Sequence, residues 1–120
     1  MSTHPNAILL VTLTPEDGAR KTFRAICAET DSAIDDGSAS IKIAERLFHA
    51  MVMEDDYDEN YQIGAKEGDI VLFDMVTYDY GDTIEWDKLA AQKTALEQWA
   101  VGICERHKCT SKFFVTANYW

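Results

Sequence analysis

Residues 7–14, Ala-Ile-Leu-Leu-Val-Thr-Leu-Thr, are β-branched and aliphatic with no helical period, which predicts a strand. Pro15-Glu16-Asp17-Gly18 stops it with turn chemistry. From Lys21 to Ala28 apolar and polar residues alternate well enough to predict the returning strand of a hairpin. A competing grammar starts a helix at Thr14 with Pro15 in its first position, but Gly18 suits a turn better than a helix interior and favours the hairpin. Residues 29–40, with Asp35-Asp36-Gly37-Ser38, read as a polar loop ending in a serine N-cap. From Ser40 to Met53 the apolar positions Ile41, Ala44, Leu47, Phe48, Met51 and Val52 recur every three or four residues, with Lys42, Glu45 and Arg46 outside the stripe. That spacing predicts a helix. The acidic run Glu54 to Asn60 would close it against the helix macrodipole, which suggests that those acids serve something other than local stability.

Residues 69–78 predict the best strand of the chain, and Asp79-Tyr80-Gly81-Asp82 supplies the turn after it. A long helix is expected from near Thr83 to His107, with Leu89, Leu96, Trp99, Ala100 and Ile103 on one stripe. Arg106, His107 and Lys108 stand where positive charge suits a helix end. Phe113 to Tyr119 closes the chain as a strand, and its Tyr119-Trp120 end offers an edge that can pair with a second copy as a homodimer. The expected order is ββαβαβ: an α+β two-layer sandwich, with a four-stranded, mostly antiparallel sheet and two helices on one face.

Composition sets the scale. A chain of 120 residues at 47% apolar can bury a core as one domain, 1–120, without metal or disulfide staples. No apolar run approaches the roughly 20 residues that span a bilayer, and the first residues lack a basic stretch followed by an apolar one, so a cytoplasmic location is expected. Cys27, Cys104 and Cys109 are an odd count and read as free thiols.

Charge changes the picture more. The net charge is −10, and residues 54–87 alone hold twelve acids against the single base Lys66, a balance of −11. The rest of the chain is nearly neutral, with nine acids and ten bases. Such a balance argues against direct contact with nucleic acid or an anionic membrane, and for a basic partner. Tyr57, Tyr61, Phe73, Tyr78, Tyr80 and Trp86 are interleaved with the acids. The plainer account makes Phe73 and one or two tyrosines core residues and the acids a solubilising surface. The functional account is a negative surface with aromatic anchors, shaped to occupy a basic groove that normally takes nucleic acid. Its candidate partner-binding residues are Glu54, Asp55, Asp56, Tyr57, Asp58, Glu59, Asp79, Tyr80, Asp82, Glu85 and Asp87.

In size and charge the chain is similar to phage- or mobile-element-borne inhibitors, DNA mimics and anti-CRISPR proteins among them, and to toxin-neutralising immunity proteins. That similarity involves no motif and carries over no residue assignment. It implies a non-catalytic binding protein that blocks a basic, nucleic-acid-binding partner, or alternatively an immunity or antitoxin-like protein.

A third reading is a calcium- or zinc-binding domain. Asp56, Asp58, Asn60, Ile63 and Glu67 fall at positions 1, 3, 5, 8 and 12 of an EF-hand loop after a predicted helix. Position 6 is Tyr61, where the loop needs glycine, so a solvated acidic loop is the expectation. Cys104, His107 and Cys109, with Cys27 and His49 to complete a set, offer soft ligands at a spacing that does not match paired zinc knuckles. With no phosphate loop, G-x-S-x-G or H-E-x-x-H, neither an enzyme nor a cofactor is expected.

Overall fold

The computed structural model describes residues 5–54, 66–77 and 86–119. At its centre Leu9, Leu10, Val11, Thr12 and Leu13 are all buried, so this strand is covered on both faces. It is β1 (Pro5–Pro15), followed by α1 (Ala19–Glu29), β2 (Ile34–Asp35), β3 (Ser38–Ile43), β4 (Arg46–Val52), β5 (Ile70–Thr77), α2 (Trp86–His107) and β6 (Cys109–Tyr119). The strands form one sheet in the order β2-β3-β4-β5-β1-β6, every neighbouring pair antiparallel. The α+β class, the antiparallel sheet and the number of helices stand, but only the helix ending at His107 is one of the two expected. The four strands and the ββαβαβ order are corrected, among the described residues, to six strands with one helix after β1 and one after β5.

Two misread segments account for the difference. Residues 21–28 are helical, because Thr22, Phe23, Ile26 and Cys27 form one buried stripe at helical spacing. Gly18 is the N-cap of that helix, a position glycine tolerates, and Pro15 ends β1. The helix expected over 40–53 is a hairpin, β3–β4, in which Ala39, Ile41 and Ile43 and then Phe48 and Ala50 are buried in strand alternation. Ser40 caps nothing: it is an exposed residue within β3. The loop before it is also a hairpin, with Asp36 (φ 52°) and Gly37 (φ 80°) between the paired Asp35 and Ser38. Asp-Gly is a favoured pair for such a turn because both positions need positive φ.

The β3–β4 turn has no such chemistry. Ala44 and Glu45 connect the paired Ile43 and Arg46 with φ of 50° and 66°, left-handed values disfavoured for residues bearing a Cβ. Replacing Ala44 by Asn and Glu45 by Gly together should raise stability by about 1 kcal/mol, since turn relief is partly offset by the freer unfolded glycine. Urea denaturation checks this; a loss would show that the turn is not left-handed at both residues.

Both helices pack on one face. The main core joins Leu9, Val11 and Leu13 of β1, Ile41 of β3, Phe48 of β4 and Leu72 of β5 to Phe23 and Ile26 of α1 and Leu96, Ala100 and Ile103 of α2. A smaller cluster of Leu10, Met53 and Val71, with Met51 and Phe73 against it, uses the alternate residues and so lies on the reverse face. Arg106 of α2 donates from Nε and Nη2 to the Glu29 carboxylate at 2.6 and 3.1 Å, tying the ends of the two helices. That guanidinium holds the Glu29 carboxyl below its ordinary range. No helix among the described residues is long and apolar enough to cross a membrane.

Candidate partner-binding segment

Among the described residues the acidic segment 54–87 contributes the strand β5, and the fold fixes where its flanks begin. Met53 N donates to Asp69 O at 2.8 Å and Gly68 N to Met53 O at 2.9 Å, so the chain leaves β4 and enters β5 at one clamped point. Residues 78–85 follow the other end of β5, after Thr77. Ile70 and Thr77 stand about 24 Å apart at strand rise. The two acidic runs, which flank β5 in sequence, therefore depart from opposite ends of that strand.

Among the described acids of the segment, Asp69 and Asp74 are built into the fold. Asp69 is buried, accepts the Thr14 hydroxyl at 2.8 Å and Lys66 N at 3.0 Å, and so joins the end of β1 to the turn before β5. Asp74 is buried on the core face of β5 opposite Leu9 of β1. Its Oδ2 meets Arg46 Nε at 2.7 Å as an ion pair without hydrogen-bond alignment. Glu54 is exposed and pairs with Arg20, beside a cleft that Phe23, Arg24, Ile34 and Val52 also line. Asp87 is exposed in the first turn of α2, where negative charge suits the helix dipole. Phe73 is half-buried on the reverse face, edge-on to His49 at 5.1 Å between ring centres. Asp55, Asp56, Tyr57, Asp58, Glu59, Asp79, Tyr80, Asp82 and Glu85 lie outside the described residues.

The helix expected before the EF-hand spacing is strand β4, and β5 follows it, so the helix–loop–helix frame is absent. Because β4 is a strand, no helix macrodipole ends at Glu54 for the acidic run to oppose. Of the spacing itself Glu67 is exposed, while Asp56, Asp58 and Asn60 are outside the described residues.

The soft ligands do not converge. Cys104 Sγ and Cys109 Sγ are 3.0 Å apart, but His107 Nε2 sits 3.6 Å from Glu29 Oε2, and Cys27 is buried in α1. His49 alternates with the core residues Phe48 and Ala50 and so lies on the opposite face of the sheet. Among the described residues no three His, Cys, Asp or Glu side chains are placed to hold a metal ion. The apposition of Cys104 and Cys109 was missed by metal-ligand spacing; the signal for it was their place on either side of a helix stop.

No protein-family model, curated protein or solved structure matches the chain.

Proposed function

We propose that the protein binds a basic surface of a partner protein through the acidic segment 54–87, and blocks a site that would otherwise hold nucleic acid. The observation that carries this reading is the segregation of charge: −11 within 54–87 on a chain that is otherwise nearly neutral. Asp69 and Asp74 are committed to the fold and Glu54 is paired with Arg20, which leaves the binding role to the runs 55–59 and 79–87. Exposed charge steers association and is screened over a Debye length of about 8 Å at physiological salt, whereas a desolvated aromatic anchor contributes about 2 kcal/mol.

The test is capture of a partner from host lysate on the full chain, with elution on a salt gradient and competition by duplex DNA. The expected partner is a basic nucleic-acid-processing protein that DNA displaces. Neutralising Asp55, Asp56, Asp58 and Glu59 together should slow association about tenfold at low salt and flatten its salt dependence. Because the runs leave opposite ends of β5, Asp79, Asp82, Glu85 and Asp87 are neutralised in a separate variant. Tyr57→Ala or Tyr80→Ala should speed dissociation about 30-fold, the equivalent of an anchor of about 2 kcal/mol. Affinity unchanged in both neutralised variants at low and high salt would reduce the segment to a solubilising surface.

A further inference from the structure

Helix α2 ends at His107, Lys108 takes the left-handed conformation (φ 55°), and Cys109 opens β6. With Lys108 as the left-handed residue that ends the helix, Cys104 lies in the last turn and Cys109 one residue past the stop. These are the two positions that this helix ending brings side by side, usually as an apolar contact. Here both are cysteines, and their sulfurs lie 3.0 Å apart.

We infer that Cys104 and Cys109 form a reversible dithiol site whose reactant is a low-molecular-weight disulfide of the glutathione class. A disulfide has a sulfur separation of roughly 2.05 Å, so bond formation asks for a closure of about 1 Å across a junction the backbone has already bent. Both residues are half-buried and so within reach of a small reagent, whereas Cys27 is 2% exposed in the core. A metal is the competing ligand for two thiols, but a structural zinc site needs four donors and the described residues offer no third.

The chemistry balances without a further reactant. The Cys104 thiolate attacks one sulfur of the small disulfide, forming a mixed disulfide and releasing one small thiolate. That thiolate takes the Cys109 proton, and the Cys109 sulfur attacks the Cys104 sulfur and expels a second small thiolate, which takes up the proton that Cys104 gave to solvent before its attack. Two protein thiols are oxidised, one small disulfide is reduced to two thiols, and both protein protons end on those thiols. Burial and the neighbouring Cys104 push the Cys109 thiol up to about 12, which leaves the first, bimolecular attack to Cys104; in the second step the adjacency of the two sulfurs offsets the small thiolate fraction of Cys109. The product fastens the last turn of α2 to the first residue of β6, where Cys109 is paired in register with Pro15 of β1.

The test uses the full chain in buffers of defined ratio of reduced to oxidised glutathione. The expected result is a protein lighter by two hydrogens, with two of the three thiols lost and restored by excess reduced glutathione. Trypsin cleaves after Arg106 and Lys108, so the bond should join two peptides, one carrying Cys104 and the other Cys109. Cys104→Ser and Cys109→Ser should each retain a glutathione adduct on the surviving thiol instead of losing two hydrogens. A Cys27→Ser chain should behave as the unaltered one. Stable adducts on both cysteines of the unaltered chain, a bond that includes Cys27, or three free thiols in fully oxidised glutathione would each overturn the inference.

Discussion

Phe48→Ala is expected to lower the unfolding free energy by about 4 kcal/mol, and Leu47→Ala by no more than about 0.5 kcal/mol. Adjacent residues of a strand point to opposite faces, and here Phe48 is 2% exposed in the main core while Leu47 is 64% exposed. Truncating Phe48 removes a large side chain and leaves a cavity among Ile41, Leu72 and the helices, which a sheet paired on both sides of β4 cannot collapse to fill. Truncating Leu47 removes apolar surface that already faces solvent, so little burial is lost. Had 40–53 been a helix, both residues would lie on its apolar stripe and both changes would be costly. Urea denaturation of the two variants separates these cases, and comparable losses would reinstate the helix.

The same pair shows what was legible in the sequence. β1, β5 and α2 were readable because each is long and shows one period only: a continuous aliphatic run, or a stripe such as Leu96, Ala100 and Ile103. The β3–β4 hairpin was not, because its two-residue turn shifts the phase of the alternation. Ile41, Ala44 and Phe48 then fall at intervals of three and four, and the turn residues Ala44 and Glu45 carry no glycine, asparagine or aspartate to announce the reversal. The segment 19–29 fits both periods locally, and packing against β1, β4 and α2 selects the helix. For the candidate site, the segregated charge was visible in the sequence. Which acids belong to the fold was not, since Asp69 is held by Thr14, 55 positions away, and Asp74 by Arg46 on the neighbouring strand.

That last pair carries the second large effect. Arg46→Met is expected to cost about 3 kcal/mol, because it strips its partner from a carboxylate that folding has removed from water. The side chain of Asp74 is 10% exposed and cannot recover solvent, whereas that of Arg46 is 37% exposed, which places the estimate at the low end for a buried pair. The same asymmetry makes Asp74→Leu the milder single change, since the guanidinium left behind can turn to water. Combining Arg46→Met with Asp74→Leu removes both charges and fills the space with apolar atoms on the face that already holds Leu9 and Leu72, so the double variant should return to within about 1 kcal/mol of the unaltered protein. A double-mutant cycle on urea denaturation reads the coupling directly. Strict additivity of the two single losses would mean that the 2.7 Å contact contributes nothing. Asp74 would then belong with the solvated acids of the segment. A large coupling sets it apart as a residue of the fold beside Asp69, withdrawn from whatever acidic surface the segment presents.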